Sequence, residues 1–291
     1  MKIGIGAFLT EQSGNPGAIA LAAERAGFES FWVAEHLAIP ASYSTYYPRS
    51  PDGKVPESYA HLADPFVALA IAAQATTRIR LGTGVCLLPE RNPIETAKAV
   101  ATLDCYSGGR VMLGVGAGWF PEEAAIMGVD FKRRWRHLRE SVEAMRELWS
   151  RPEAAYAGEI IRFPPVRLYP KPLQQPHPPV FLGAHDPGPA LKRVARWADG
   201  WMPGGLSPEQ ASQYIPEIKR MAREMGRDPA RMEFSVMLGI GARQIPSADE
   251  LRRYAAAGVS RVIVLAAEIA TRDGVETVKQ YAPLVERAGA I

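Results

Sequence analysis

The sequence predicts a (β/α)8 barrel, and three observations carry that expectation. Short apolar runs alternate with helical stretches eight times along 291 residues, an order that implies parallel strands joined by right-handed crossovers. Such a barrel typically takes about 250 residues, which fits eight units in this length, although a doubly wound sheet can use the same alternation. No linker or composition break divides the chain, so residues 1–291 read as one domain.

Residues 2–8 form a buried-type strand, and 15–26 a helix with Pro16 near its start and Gly27 closing it. The second unit is strand 30–34 and helix 64–76, with Asp64 as N-cap and Pro65 at the first helical position. The third is strand 79–86 and helix 93–106. Strand 110–115 leads to helix 132–150, where Leu138, Val142, Met145 and Trp149 recur at helical spacing. The remaining strands are 178–184, 199–203, 232–240 and 260–266, and the remaining helices are 188–198, 208–226, 248–257 and 274–288.

Two insertions exceed the roughly 2–6 residues of ordinary α/β connectors. Residues 36–63, rich in aromatics and proline, leave the C-terminal end of the second strand, the face where barrel enzymes place their chemistry. They are expected to wall or cover a substrate pocket. Residues 151–178 carry seven prolines and are expected to pack on the barrel wall, with an added strand at 160–163.

Composition excludes several classes of function. The chain is 47% hydrophobic and 22% charged, and no apolar run approaches the roughly 18 residues of a membrane span. A net charge of +3, with dispersed basic residues, argues against nucleic acid. Cys86 and Cys105 make neither a disulfide framework nor a metal site. The start, MKIGIGAFLT, reads as a strand instead of a signal peptide, so the cytoplasm is the expected location.

The stretch GGRVMLGVGAGWFPEE, 108–123, has the look of a phosphate-binding turn. A dinucleotide fingerprint requires G-x-G-x-x-G on a first strand. Here the glycines fall at 114, 116 and 118, with Trp119 next, on the fourth strand, so that assignment fails. Two readings stay open. The glycines let the strand approach its neighbours, or Gly116 and Gly118 bring a flat cofactor ring close to the backbone.

Four segments in order carry a resemblance: GFESFWVAEHLAIP at 27–40, RIRLGTGVCLLPERNP at 78–93, the run 91–149 and LYPKPLQQPHPPVFLGA with ALKRVARWADGWMP at 168–203. With them the chain resembles the luciferase-like oxidoreductases over about residues 1–205, and it is most similar to their coenzyme F420-dependent branch. The resemblance implies a flavin or deazaflavin at the C-terminal mouth of the barrel, with coenzyme F420 expected and FMN the alternative. Cofactors of this class do the hydride chemistry themselves, and the protein supplies position and electrostatics.

Glu35 and His36 end the second strand, and histidine is a residue type that can donate or accept a proton. The resemblance makes them the acid–histidine pair beside the ring, with His36 carrying the proton and Glu35 bonded to the ring or orienting His36. It also implies a non-proline cis bond at Gly84–Val85 pressing on the ring, with Cys86 following at the mouth. As a residue, Cys86 reads better as a core thiol. Sugar-phosphate dehydrogenases of the branch carry an acid after the glycine turn where this chain has Trp119, so an apolar or aromatic substrate is expected. Glu122 is either a cofactor contact or a cap.

For the cofactor phosphate, Gly183, Ala184, His185 and Gly188 precede a helix, and Gly204 lies in a second small-residue turn, 203–205. The basic run KRRWRHLR, 132–139, reads as a solvated helix face or as an attractor of an anionic cofactor tail, with Arg134 and Glu140 as a structural pair. After the seventh strand, GIGARQ offers only Arg243 as an ionisable group. A cofactor-free lyase or hydrolase would want paired carboxylates, a lysine or a metal cluster at the strand ends, where none is evident, and a non-catalytic flavin-binding barrel is a further alternative. The expected partners are a small-molecule substrate and a second copy of the chain as a homodimer.

Overall fold

Residues 1–48, 50–239 and 245–289 are described by the structure, a computed structural model, and within them strands and helices alternate. The order is β1 (Lys2–Ala7), α1 (Pro16–Arg25), β2 (Ser30–Val33), α2 (Pro65–Ala75), β3 (Arg80–Thr83), β4 (Cys86–Leu87), α3 (Pro93–Ser107) and β5 (Val111–Gly116). It continues with α4 (Pro121–Ile126), α5 (Arg134–Ser150), β6 (Ala154–Ala157), β7 (Arg162–Val166), β8 (Val180–Leu182), α6 (Pro189–Trp197) and β9 (Gly200–Trp201). Then come α7 (Pro208–Glu224), β10 (Glu233–Leu238), α8 (Ala248–Ala256), β11 (Arg261–Ala266), α9 (Gly274–Tyr281) and α10 (Pro283–Gly289).

Local chemistry sets where the helices start. Asn15, Asp64, Asn92 and Ser207 each cap a helix through their side-chain oxygen, and each is followed by proline at the first helical position. Proline has no N–H to leave orphaned there, and its fixed φ already suits the helix. No helix among the described residues is long and apolar enough to cross a membrane.

β1 pairs in parallel with β2 and β11, β3 pairs with β2 and β5, and β8, β9 and β10 complete a closed ring of eight strands. The fold is therefore the expected (β/α)8 barrel. Its interior is plugged by Trp32, Met112, Phe181, Met202 and Ile263. At the N-terminal end of the strands the buried Arg261 donates to Glu29 (2.8 Å), Glu233 (3.1 Å) and Ser235 (3.2 Å), a paired charge that closes the base. The open end is the opposite one.

The third strand breaks at a cis Gly84–Val85 peptide, the bond that the resemblance implied, and β4 resumes beside β5. Two elements depart from the sequence expectation. A short extra helix, α4, follows β5. In the second insertion the added strands are 154–157 and 162–166, an antiparallel hairpin, while 160–161 lies in its turn. The reason is Glu140 on α5, whose carboxylate accepts from the N–H groups of Ile160 (2.8 Å) and Ile161 (3.0 Å). Glu140 is thereby occupied, and Arg134 donates to the carbonyls of Gly118 (3.2 Å) and Phe131 (2.8 Å), so the two do not pair.

The glycines of β5 fit this break. A Cβ on Gly114 would lie 2.1 Å from the Thr83 carbonyl oxygen, and one on Gly116 would lie 2.7 Å from Val85 Cγ2. Gly183, beyond β8, would meet Val85 Cγ1 at 2.6 Å. Val85 thus sits in a notch made by absent side chains. Gly114→Ala is expected to lower stability by about 1–3 kcal/mol, the usual cost of overpacking, read from urea unfolding. An unchanged midpoint would mean that this close approach does not exist in solution.

Candidate active site

A cavity of about 290 Å³ opens at the C-terminal ends of the strands. Phe8 after β1, His36 after β2, Trp119 after β5, Met237 on β10 and Leu265 on β11 converge on it, and Gly84 and Val85 form part of its wall. The 36–63 insertion contributes Tyr47 and Tyr59, so it walls the pocket as expected. A larger groove, about 890 Å³, runs between α1, α2 and α3 on the outer wall past Leu21, Ile71 and Tyr106. It shares no residue with the strand ends.

His36 is held by a residue the sequence did not single out. Its Nδ1 lies 2.6 Å from Oε2 of Glu123, and the other Glu123 oxygen accepts from the N–H groups of Leu37 (2.8 Å) and Ala38 (3.3 Å). Glu123 is wholly buried, and a buried carboxylate persists where donors satisfy it. The bond makes Nδ1 the donor and leaves Nε2, which has no partner among the described residues, for a ligand. Tyr59 stacks on the imidazole (centroids 5.0 Å, 27°), and Trp119 meets it edge-on (5.8 Å, 81°). Trp119 stacks on Phe120 (5.0 Å, 7°), and the Tyr47 and Tyr59 hydroxyls are 2.8 Å apart. One signal for Glu123 was present in the sequence. With Pro121 opening a helix, residues 120, 123 and 124 share one face, and Phe120 and Ala124 are apolar.

Several expected roles are corrected. Glu35 does not orient His36. Its carboxylate accepts from the Leu87 N–H (2.6 Å) and from the Arg91 guanidinium, which also bonds Asp64 (2.6 Å). Glu35 therefore ties down the chain just after the Gly84–Val85 break. Glu122 is a loop anchor, accepting from Ser44 N (2.8 Å), Thr45 N (3.0 Å) and Thr45 Oγ1 (2.6 Å). Those bonds, led by the Thr45 hydroxyl, hold its carboxyl down at about 2.

Cys86 is fully buried in the core and faces away from the cavity, and burial with Glu35 nearby raises its thiol well above its ordinary value. Gly116 makes room for Val85, and Gly118 (φ +77°) abuts Glu90, where a Cβ would lie 2.7 Å from Oε1. Neither glycine lines the cavity. Arg243 lies outside the described residues.

The two turns expected to hold phosphate differ in what they have to offer. The Gly183 N–H donates to Val115 (2.8 Å), Ala184 is buried with its carbonyl on Trp201 Nε1 (3.0 Å), and Gly204 bridges to Met237. His185 is exposed and lines the cavity, and Gly188 (φ +89°) precedes α6. The stretch 185–188 thus remains the part of these turns that could face a cofactor's polar end. Most of the basic run is engaged locally. Arg133 and Arg136 pair with Glu159, and Arg139 pairs with Glu143 (2.7 Å).

Comparison with known proteins adds the following. A model of the luciferase-like monooxygenase family matches residues 9–290. An uncharacterized protein of Mycobacterium tuberculosis is 38% identical over 264 residues, covering 90% of this chain and 91% of that one. The F420-dependent hydroxymycolic acid dehydrogenase of the same organism is 30% identical, covering 83% and 64%. The oxygenase component of the flavin-dependent trigonelline monooxygenase of Acinetobacter baylyi is 32% identical, covering 57% and 41%. Among solved structures, an F420-dependent secondary alcohol dehydrogenase superposes with a TM-score of 0.76 at 20% identity, covering 99% and 98%.

Glu90, missed in the sequence, is 3% exposed, and neither carboxyl oxygen has a partner among the described residues. Burial, then the charges of Glu123 and Glu35, push its carboxyl up to about 8. A raised carboxyl binds its proton more tightly folded than unfolded, so stability falls as pH climbs from 4.5 to about 8. Glu90→Gln should abolish that fall, which in the natural chain amounts to roughly 2–4 kcal/mol after allowance for partial solvation. Parallel denaturant titrations across that range test it, and identical pH slopes in the two proteins would remove the buried acid from the account.

Proposed function

We propose that this chain, which belongs to the luciferase-like monooxygenase family, is a coenzyme F420-dependent oxidoreductase acting on a small, largely apolar or aromatic substrate. One observation carries the reading. An imidazole fixed at Nδ1 by a buried carboxylate stands with Nε2 uncommitted at an aromatic-walled cavity, beside the side-chain-free Gly84 and the notched Val85.

The residues fit a flat ring. Gly84 projects nothing into the cavity, where an added Cβ would come within 3.0 Å of Met237 Cε, and Val85 is fixed by the glycines on either side of it. Gly84 and Val85 would support the ring, and His185, which lines the same cavity, would meet a polar group of the cofactor. When bound, the deazaflavin donates or accepts a hydride. The protein's task is the accompanying proton. When a substrate alcohol is oxidised, Nε2 of His36 takes the hydroxyl proton, and in the reverse direction it returns a proton to the carbonyl oxygen. Glu123 holds the ring in that orientation and offsets the positive charge that forms on it, much as a buried acid serves the histidine in other proton-transfer sites. Tyr47, Tyr59 and Trp119 surround the reacting group with apolar faces and favour an apolar substrate.

The similarity to an F420-dependent dehydrogenase supports this reading. A second reading, an FMN-dependent monooxygenase, draws on the flavin-dependent relative and uses the same cavity.

Titration with F420 is expected to quench its fluorescence with micromolar affinity. His36→Ala should keep that affinity and lose roughly 10²–10⁴ in kcat, the range for removal of a general acid–base. Tight binding of FMN in place of F420 moves the conclusion to the second reading, and binding of neither ends both.

A further inference from the structure

A second, smaller cavity of about 220 Å³ lies between α5 and α6, lined by Trp135, Arg136 and Arg139 from one helix and by Lys192, Arg193 and Arg196 from the other. No acidic residue lines it. The carboxylates that pair with Arg136 and Arg139 lie outside it, on Glu159 and Glu143. Lys192 and Arg196 make no ion pair or side-chain hydrogen bond among the described residues.

Arg193 lies over the Trp135 ring, its guanidinium carbon 4.0 Å from the centroid, and its Nη1 is shut from solvent without a partner among the described residues. This contact also accounts for the tryptophan in the middle of the basic run. It holds one cation in place against its neighbours, and a guanidinium N–H sealed without an acceptor costs free energy that an incoming anion recovers. Like charges facing one another across a groove repel, so the groove as it stands favours negative charge.

The groove and the strand-end cavity share no lining residue, but short stretches of chain connect them. His185 lines that cavity, and the adjacent Asp186 is the acid whose charge reaches Arg193. On the α5 side, Arg134 is bonded to the Gly118 carbonyl, next to Trp119 of the cavity wall, and its charge also reaches Arg193.

We propose that the α5–α6 groove binds a chain of anionic groups, phosphates or carboxylates. Two sources have this chemistry. One is the far end of a ligand seated in the catalytic cavity, a form that rests on the function proposed above. The other is a separate polyanion.

The test compares the natural chain with a Lys192→Glu/Arg196→Glu double variant, both sites being exposed and outside the core. Inorganic tripolyphosphate should bind the natural chain at low salt and bind the variant about tenfold more weakly, with salt abolishing the difference. No binding, or equal binding to both proteins, overturns the proposal. A second arm titrates F420 and FMN. A cofactor that loses affinity in the variant alongside tripolyphosphate identifies its own anionic tail as the occupant, and unchanged cofactor affinity identifies a separate polyanion. If neither cofactor binds the natural chain, the proposed function fails, while tripolyphosphate still decides the groove.

Discussion

Everything at the catalytic face depends on one close approach, that of Val85 to two strands that give way to it. A β-strand places its side chains on alternating faces, and a run such as RLGTGVCL would normally send Val85 along the sheet and out of the site. The break at Gly84–Val85 turns this residue toward the cavity, and the turned chain needs space. Gly114 yields to the Thr83 carbonyl, and Gly116 and Gly183 yield to the two methyl groups of Val85. Glu35 then fixes the far side of the break by accepting from the Leu87 N–H. A Gly-rich strand end that resembles a phosphate loop is therefore a socket for a hydrophobic side chain.

This explains how much of the molecule could be read from residues alone. The barrel was legible because its signals are local and repeated. Cap-and-proline pairs such as Asn15–Pro16 and Asp64–Pro65 depend only on neighbouring backbone, and the alternation of elements leaves few parallel topologies. His36 was singled out through the family resemblance, because an ionisable residue at the end of a buried strand reads by itself as readily as a solvated or merely hydrogen-bonded histidine. The partners of these residues were not. Glu122 and Glu123 are adjacent and chemically identical, and nothing short of the orientation of α4 decides which faces His36 and which faces Ser44 and Thr45. The same limit explains Glu140, whose contacts lie in a hairpin turn 20 residues away.

The cavity is also more aromatic than its strands. Only Phe8 and Trp119 come from the segments that follow barrel strands directly, while Tyr47 and Tyr59 arrive on the 36–63 insertion. The scaffold thus supplies His36 and the Gly84–Val85 wall of the cavity, and the insertion supplies two of its aromatic walls. Glu122 couples the two by anchoring the loop to the helix that carries Glu123. A substitution in the loop therefore acts on His36 through that helix as well as through direct contact.

Four carboxylates crowd this end of the barrel, and their separate roles follow from how donors are shared out. Among the described residues Arg91 is the one guanidinium bonded to this group, and it is spent on Glu35 together with Asp64. Glu122 draws on the backbone and hydroxyls of the loop. Glu123 has two backbone N–H groups and the imidazole, so both of its oxygens are engaged while it is buried. Glu90 receives no donor and keeps its proton instead. The distribution of donors, more than the number of acids, leaves one carboxylate out of four bonded to His36.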